Sequence, residues 1–218
     1  MKKEMKHYVS ILCTLFAVNS LQAGEVKKEI KLNAPDKTRG TVFMKTIQER
    51  QSSREFSAKE LSLQDLSDLL WTANGINRPE SGKRTAPSAL NKQEIDIYVL
   101  FPSGAYRYDA GTHTLKLVTT GDHRAAVAGQ QDFVLQAPVS LVLVADLSRF
   151  DMENSEQLRL MAAVDAGIVS QNINLFCAAT GLATVPRASM DKEQLKRVLQ
   201  LKDTQLPLMN NPVGYTKK

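Results

Sequence analysis

A run from about Ser155 to Thr180 constrains this chain most, because it reads as one long helix with almost no polar face. Leu158, Met161, Ala162, Asp165, Ile168, Val169, Asn172 and Phe176 recur at helical spacing. Ala162, Ala163, Ala166, Gly167, Ala178 and Ala179 leave much of the remaining surface small. A helix that is apolar or small nearly all round is buried on more than one side. In a chain of 218 residues that points to packing against a second copy of itself. Asp165, Gln171, Asn172 and Asn174 exclude a membrane span, and Gly181 suits the C′ position that ends such a helix.

The N-terminus has the three-part pattern of a secretory leader: a basic start at Met1–Lys6, an apolar run from Tyr8 to Val18, and a polar stretch ending in Ala23. The apolar run is too short to span a bilayer comfortably. Leu12 stands before Cys13, where a lipoprotein signal needs a small residue. We therefore expect export to a periplasm, cleavage after Ala23 and no lipid or other stable membrane anchor. Removing 23 of the 218 residues leaves 195, enough for one domain. The leader carries Lys2, Lys3 and Lys6 against Glu4, so the net charge falls from +5 to +3. That mild charge, with no basic run, argues against nucleic acid. Cys177 alone remains after processing, which excludes an internal disulfide. His113 and His123 have no second ligand at metal spacing, so no metal site is expected.

Residues 24–41 are charged and proline-punctuated and read as a mobile or surface-wrapping arm; residues 42–218 form the domain. Helical patterns cover about 42–50, 62–72 (with Ser62 as N-cap) and 191–201, and residues 74–86 read as a loop. Ile95–Phe101 suits a strand, and Ala105–Tyr108 with Thr114–Val118 suits a hairpin. Val139–Ala145 (VSLVLVA) is a largely continuous apolar run of strand length, which implies a buried central strand. Further short segments are 206–209 and 212–215. Strands and helices mixed without a repeat imply an α+β fold.

Four polar clusters stand out. Arg50-Gln51-Ser52-Ser53-Arg54 places two guanidiniums and two hydroxyls within a single turn, a combination that matches phosphate oxygens. Ala86-Pro87-Ser88-Ala89-Leu90-Asn91 precedes the strand at Ile95; its proline stiffens the backbone, and Ser88 and Asn91 supply donors and acceptors. Gly129-Gln130-Gln131-Asp132 precedes the buried strand. Thr184-Val185-Pro186-Arg187-Ala188 follows the long helix, where a tight loop can offer backbone N–H groups. Taken singly, each is an ordinary polar turn or solvated surface.

Together they resemble the FMN-dependent nitroreductase family, particularly its branch related to SagB-type dehydrogenases, over about residues 42–215. Arg50-x-Ser52-x-Arg54-x-Phe56 resembles the family's opening motif, and Leu69-Leu70-Trp71-Thr72-Ala73-Asn74-Gly75-Ile76 and Arg84-Thr85-Ala86-Pro87-Ser88-Ala89 resemble segments of the branch. Tyr106-Arg107-Tyr108-Asp109, the long helix ending in Gly181-Leu182, and Pro212-Val213-Gly214-Tyr215 follow in the same order. The resemblance implies a mixed, mainly antiparallel sheet flanked by helices and an intertwined homodimer with two flavins at its interface. Arg50, Ser52 and Arg54 would grip the FMN phosphate and ribityl chain. Pro87, Ser88, Ala89 and Asn91 would reach the same flavin from the opposite subunit. Gln130 would lie by the polar edge of the ring, and Pro186, Arg187 and Ala188 would back it, with a backbone N–H aimed at N5.

The chain departs from the family after Tyr215, where Thr216 replaces a proline and Lys217-Lys218 stand in place of a longer basic segment. The activity implied is ping-pong, two-electron redox on a small organic substrate, with no acid–base side chain assigned. Export makes the usual donor, NAD(P)H, unavailable, so a different electron donor or acceptor is expected. Two alternatives remain: a flavin-free binding or structural protein that keeps the fold, and an enzyme that remodels flavin itself. Bound yellow chromophore tests the first, and turnover of free reduced flavin tests the second.

Overall fold

The computed structural model describes residues 26–40, 42–152 and 156–217, so the expected leader lies outside the described residues. Along the described chain run β1 (Glu29–Lys31), α1 (Phe43–Glu49), α2 (Leu63–Asn74), β2 (Ile76–Arg78) and β3 (Lys83–Arg84). There follow β4 (Ile95–Phe101), β5 (Gly104–Asp109), β6 (Thr114–Thr120), α3 (Arg124–Ala128) and β7 (Val139–Asp146). The chain closes with α4 (Glu156–Thr180), β8 (Leu182–Thr184), α5 (Lys192–Val198) and β9 (Gln205–Tyr215). Seven strands form one sheet in the order β1-β6-β5-β4-β7-β9-β8, and every neighbouring pair in it is antiparallel.

Strand alternation sorts the core into two layers. Ile95, Ile97 and Val99 of β4 and Leu141 and Leu143 of β7 face one side, where they meet Leu66, Leu69 and Leu70 of α2 and Leu158, Ala162, Val169 and Ile173 of α4. Tyr98, Leu100, Val142 and Val144 face the other side, against Ala126 and Val127 of α3 and Leu195 and Leu199 around α5. Each such buried aliphatic side chain contributes about 1.5–3 kcal/mol. The apolar run Val139–Ala145 is thus buried on both faces because helices cover both, as expected for a central strand. The α+β architecture follows.

Helix α2 starts where its cap residue dictates: the Ser62 hydroxyl accepts a hydrogen bond from the Asp65 N–H at 3.0 Å. Helix α4 stops at Gly181, whose φ of +73° is the left-handed C′ conformation. Its inner face carries Leu158, Ala162, Ala166, Val169, Ile173 and Phe176. The opposite face leaves Leu160 and Val164 at 65% and 55% exposure, and a side chain added at Gly167 would meet nothing within 4 Å. Helix α1 packs on α4 and exposes Phe43, Met44 and Ile47, with Val42 just ahead of it. Large apolar side chains are therefore exposed on both α1 and the outer face of α4.

The arm wraps the domain. Ile30 and Leu32 are buried, Glu29–Lys31 adds an edge strand beside β6, and Arg39 pairs with Asp65 and Asp68 of α2. The loop at 74–86 contains a small ribbon, β2 with β3. The two short segments at 206–209 and 212–215 form one strand, β9, despite Pro207 and Pro212. From Gln205 to Val213, β9 pairs with β7 on one side, while β8 covers only Val213–Tyr215 on the other. Both prolines thus sit where a missing N–H disrupts no second ladder.

Gly214 in that strand has a steric reason. A Cβ there would come within 2.7 Å of Pro138 Cδ and 3.4 Å of Phe56 Cβ. A proline ring in a packed interior yields little, so Gly214→Ala is expected to destabilise the fold by about 1–3 kcal/mol. A lowered urea midpoint with unchanged slope checks this.

Candidate functional site

The Arg50–Phe56 segment is extended, which corrects the expectation that its polar groups share one turn. Arg50 caps α1 with φ −60° and ψ 118°, and Phe56 bridges Thr216 in antiparallel fashion. The Ser53 N–H donates to the Thr184 carbonyl at 2.9 Å, and the Ser57 N–H donates to Tyr215 at 2.9 Å. The segment therefore lies along the β8–β9 end of the sheet. Alternate residues of an extended chain project to one side, which groups Arg50, Ser52 and Arg54. Ser52 and Arg54 are exposed and Arg50 is half-buried. Among the described residues, neither guanidinium and not the Ser52 hydroxyl takes part in a hydrogen bond or ion pair. An open groove of about 490 Å³ adjoins the segment, lined by Phe56, Ser57, Ala58, Gln136 and Lys217. It places Lys217 on the same edge as the arginines.

Two residues beyond Thr184 begins the Pro186–Ala188 loop. Arg187 is 6% exposed, and its guanidinium is fully engaged inside the protein. It donates to Gln131 Oε1 at 2.8 Å, Asn210 Oδ1 at 2.7 Å, and the carbonyls of Val127 and Ala128 at 3.0 Å each. The Arg187 N–H donates to the Asn210 carbonyl at 2.8 Å. Arg187, expected to back a ring together with Pro186 and Ala188, clamps the loop to α3 and β9 through its side chain. Proline has no N–H, which leaves Ala188, exposed beside it, as the loop's available backbone donor. Gln131, bonded to Arg187, ties the neighbouring exposed Gln130 to the same edge. Arg50, Ser52, Arg54, Gln130, Pro186 and Ala188 thus belong to one end of one protomer.

Pro87, Ser88, Ala89 and Asn91 lie elsewhere. Their loop docks on the middle of α4, where Asp165 Oδ2 accepts from the Ala89 N–H at 2.6 Å. Residues 165 and 180 of α4 are separated by ~22 Å at 1.5 Å per residue, and the first cluster lies beyond its C-terminal end. The two clusters are consequently separated within the chain. The loop conformation is strained: Leu90, Asn91 and Gln93 have φ of 53°, 54° and 50°, which costs of order 1–3 kcal/mol each. Several anchors hold it. Ser88 Oγ accepts from the Gln93 N–H at 2.8 Å, Arg84 Nε donates to Gln93 Oε1 at 2.9 Å, and Arg149 Nη1 donates to the Gln93 carbonyl. The segments around Trp71 and Arg84 set the base of this loop. Thr85 donates through its N–H to Gly75 at 2.9 Å and through its hydroxyl to Trp71 at 3.3 Å, and Asn74 Nδ2 donates to Ile95 at 2.9 Å.

Sequence reasoning missed the buried acids behind the loop. Glu94 is 0% exposed, Asp165 is 4% exposed, and neither Glu94 carboxyl oxygen has a hydrogen-bond donor among the described residues. Burial, with the Asp165 carboxyl against it, raises the Glu94 carboxyl to about 7. Asp165, on the apolar face of a predicted helix, was the one available signal.

Comparison with known proteins follows the same outline. The sequence model of the Nitroreductase family matches residues 47–215. The relatives that bear the name "putative nitroreductase" include one solved structure and one curated protein that match most of the chain. The solved structure from Ralstonia eutropha JMP134 is 38% identical, has a TM-score of 0.83, and aligns over 88% of this chain and 91% of that one. The Methanocaldococcus jannaschii protein is 29% identical over 174 residues, 76% of this chain and 86% of its own. A Bacillus subtilis FMN reductase [NAD(P)H] is 23% identical over 79% of this chain and 65% of its length. Shared fold, the order of the motifs and a match that spans both clusters put the chain in the nitroreductase family, as an oxidoreductase.

Proposed function

We propose that the protein is an exported, FMN-dependent oxidoreductase that works as a homodimer and handles a small organic substrate by a ping-pong, two-electron route. The observation that carries this reading is the extended Arg50–Ser52–Arg54 segment, cationic, unpaired among the described residues and tied through Ser53 to the strand that leads into the Pro186–Ala188 loop. The family usually binds flavin, and the residues present fit one. Arg50 and Arg54 would hold the phosphate with bidentate, charge-assisted bonds, and Ser52 would add a hydroxyl donor. Lys217, beside the groove, supplies a third positive charge on that edge. Ala188 would direct its N–H at the ring, and Gln130 would meet its polar rim.

FMN, when bound, supplies reversible two-electron transfer. The chain contributes orientation, a preorganised N–H donor and positive charge near developing negative charge. The separated clusters favour a dimer, because a second copy can bring its Pro87–Asn91 loop to the first copy's Arg50 cluster. The exposed apolar side chains on α1 and α4, with Leu160, Val164 and the open position at Gly167, suit the contact such a dimer needs. Export and the SagB-like branch rest on the leader pattern and the motifs quoted above. They favour a donor other than NAD(P)H.

Chemical reduction of the FMN-loaded protein without oxygen, followed by mixing with a quinone or nitroaromatic acceptor, tests the activity. Rapid return of the oxidised flavin spectrum is expected. A reduced protein that no such acceptor reoxidises would instead favour a binding role.

A further inference from the structure

We propose that Glu94 and Asp165 are positioning residues that share one proton, and that this proton holds the Pro87–Asn91 loop in its left-handed conformation. The proton-sharing stands on this chain's own residues; its consequence for a cofactor rests on the function proposed above.

The argument begins from hydrogen-bond accounting. Two ionised carboxylates are acceptors only, so a pair buried together has no bond between them. Glu94 and Asp165 are both buried, and both Glu94 oxygens lack a donor among the described residues. One added proton converts the pair into a donor and an acceptor, and removes one buried charge. Asp165 then keeps its second oxygen on the Ala89 N–H, at 2.6 Å. That bond ties the loop to α4 immediately before the strained residues Leu90 and Asn91. A second bond ties the acid to the sheet, because the Asp146 N–H donates to the Glu94 carbonyl at 2.9 Å.

The surrounding charges do not replace the proton. Arg149 is the nearest cation, yet it already serves the Gln93 carbonyl and Asp96, the latter at 2.6 Å. Arg84 serves Gln93 Oε1 at 2.9 Å and the Asn74 carbonyl at 3.4 Å. Lys92 faces outward to Asp151 at 2.7 Å. Asp96 and Asp146 add negative charge to the same neighbourhood, which opposes a second ionisation in the pair.

The sign follows from linkage. The folded protein keeps a proton on Glu94 up to about pH 7, whereas the unfolded chain releases it near the ordinary glutamate value of 4.5. Stability from this site is therefore greatest at low pH and declines as pH rises through that window. Between about 4.5 and about 7, each further pH unit favours an opened, deprotonated loop about tenfold, and above about 7 the ratio levels off because both states have lost the proton.

Hydrogen exchange of the full mature chain without flavin tests this, with rates corrected for base-catalysed intrinsic exchange. In the wild type, protection of the Ala89–Gln93 amides should fall by up to about tenfold per pH unit between about 4.5 and about 7 and level off above that. Glu94→Gln retains a donor that cannot ionise, so its protection should not vary with pH. Asp165→Asn preserves an acceptor for Ala89 and gives Glu94 a donor; it should behave alike and serves if the first variant fails to fold. PH-independent protection in the wild type, or an unchanged pH dependence in the variants that fold, overturns the proposal. FMN affinity measured over the same pH range separates the two readings. Loop opening with unchanged affinity would support proton-sharing and contradict the loop's role at the cofactor.

Discussion

Replacing Arg50 and Arg54 together by alanine is expected to weaken FMN binding by about 100- to 10,000-fold. Each charge-assisted bond to a phosphate is worth about 1.5–3 kcal/mol, and every 1.4 kcal/mol is a factor of about ten in affinity. The fold itself should tolerate the change. Neither guanidinium is bonded within the protein among the described residues, and the backbone of the segment is held by Ser53 and Ser57 instead. Arg50→Lys with Arg54→Lys should recover only part of the loss, since an ammonium cannot make the bidentate bond. Quenching of free FMN fluorescence on titration measures the constants. An unchanged constant in the double alanine variant would place the phosphate elsewhere.

Arg187→Ala is expected to cost stability rather than affinity alone. The substitution strands Gln131 Oε1, Asn210 Oδ1 and the carbonyls of Val127 and Ala128, three of these bonds being buried. A buried acceptor left unpaired costs about 1–3 kcal/mol, and partial relaxation brings the total to about 3–5 kcal/mol. For a domain of this size, that lowers the melting temperature by roughly 6–20 °C. Lysine should not rescue the site, because one ammonium cannot span α3, the Gln131 loop and β9 at once. A melting temperature within a degree or two of the wild type would show that the clamp contributes little.

The physical reasons for these two outcomes also explain what the sequence disclosed. Periodicity sufficed for β4, β7 and α2, where a regular pattern, a serine cap or a two-sided apolar run leaves few alternatives. The short elements β1, β8 and α3 were missed, since three to five residues carry too little pattern to distinguish from loops. Pro207 and Pro212 concealed the continuity of β9, because nothing in the sequence says that β8 stops before reaching them. At the site, residue type was informative and local geometry was not. Arg50 and Arg54 lie four apart, which suits a helix, yet the bridge from Phe56 to Thr216 draws the segment out straight. Arg187 illustrates a further limit. An arginine in a polar loop reads as a ligand contact until the carbonyls of α3, some sixty residues earlier, are seen to occupy it. The Glu94–Asp165 pair has the same origin in long-range contact, with the acids on separate elements.

The central claim is that two copies of this chain hold FMN between them, and calorimetric titration of the flavin-stripped protein with FMN, with light-scattering mass measured before and after, tests it most directly. The account predicts a dimer that takes up one FMN per protomer and turns yellow. A protein that releases no heat and stays colourless with excess FMN would contradict it.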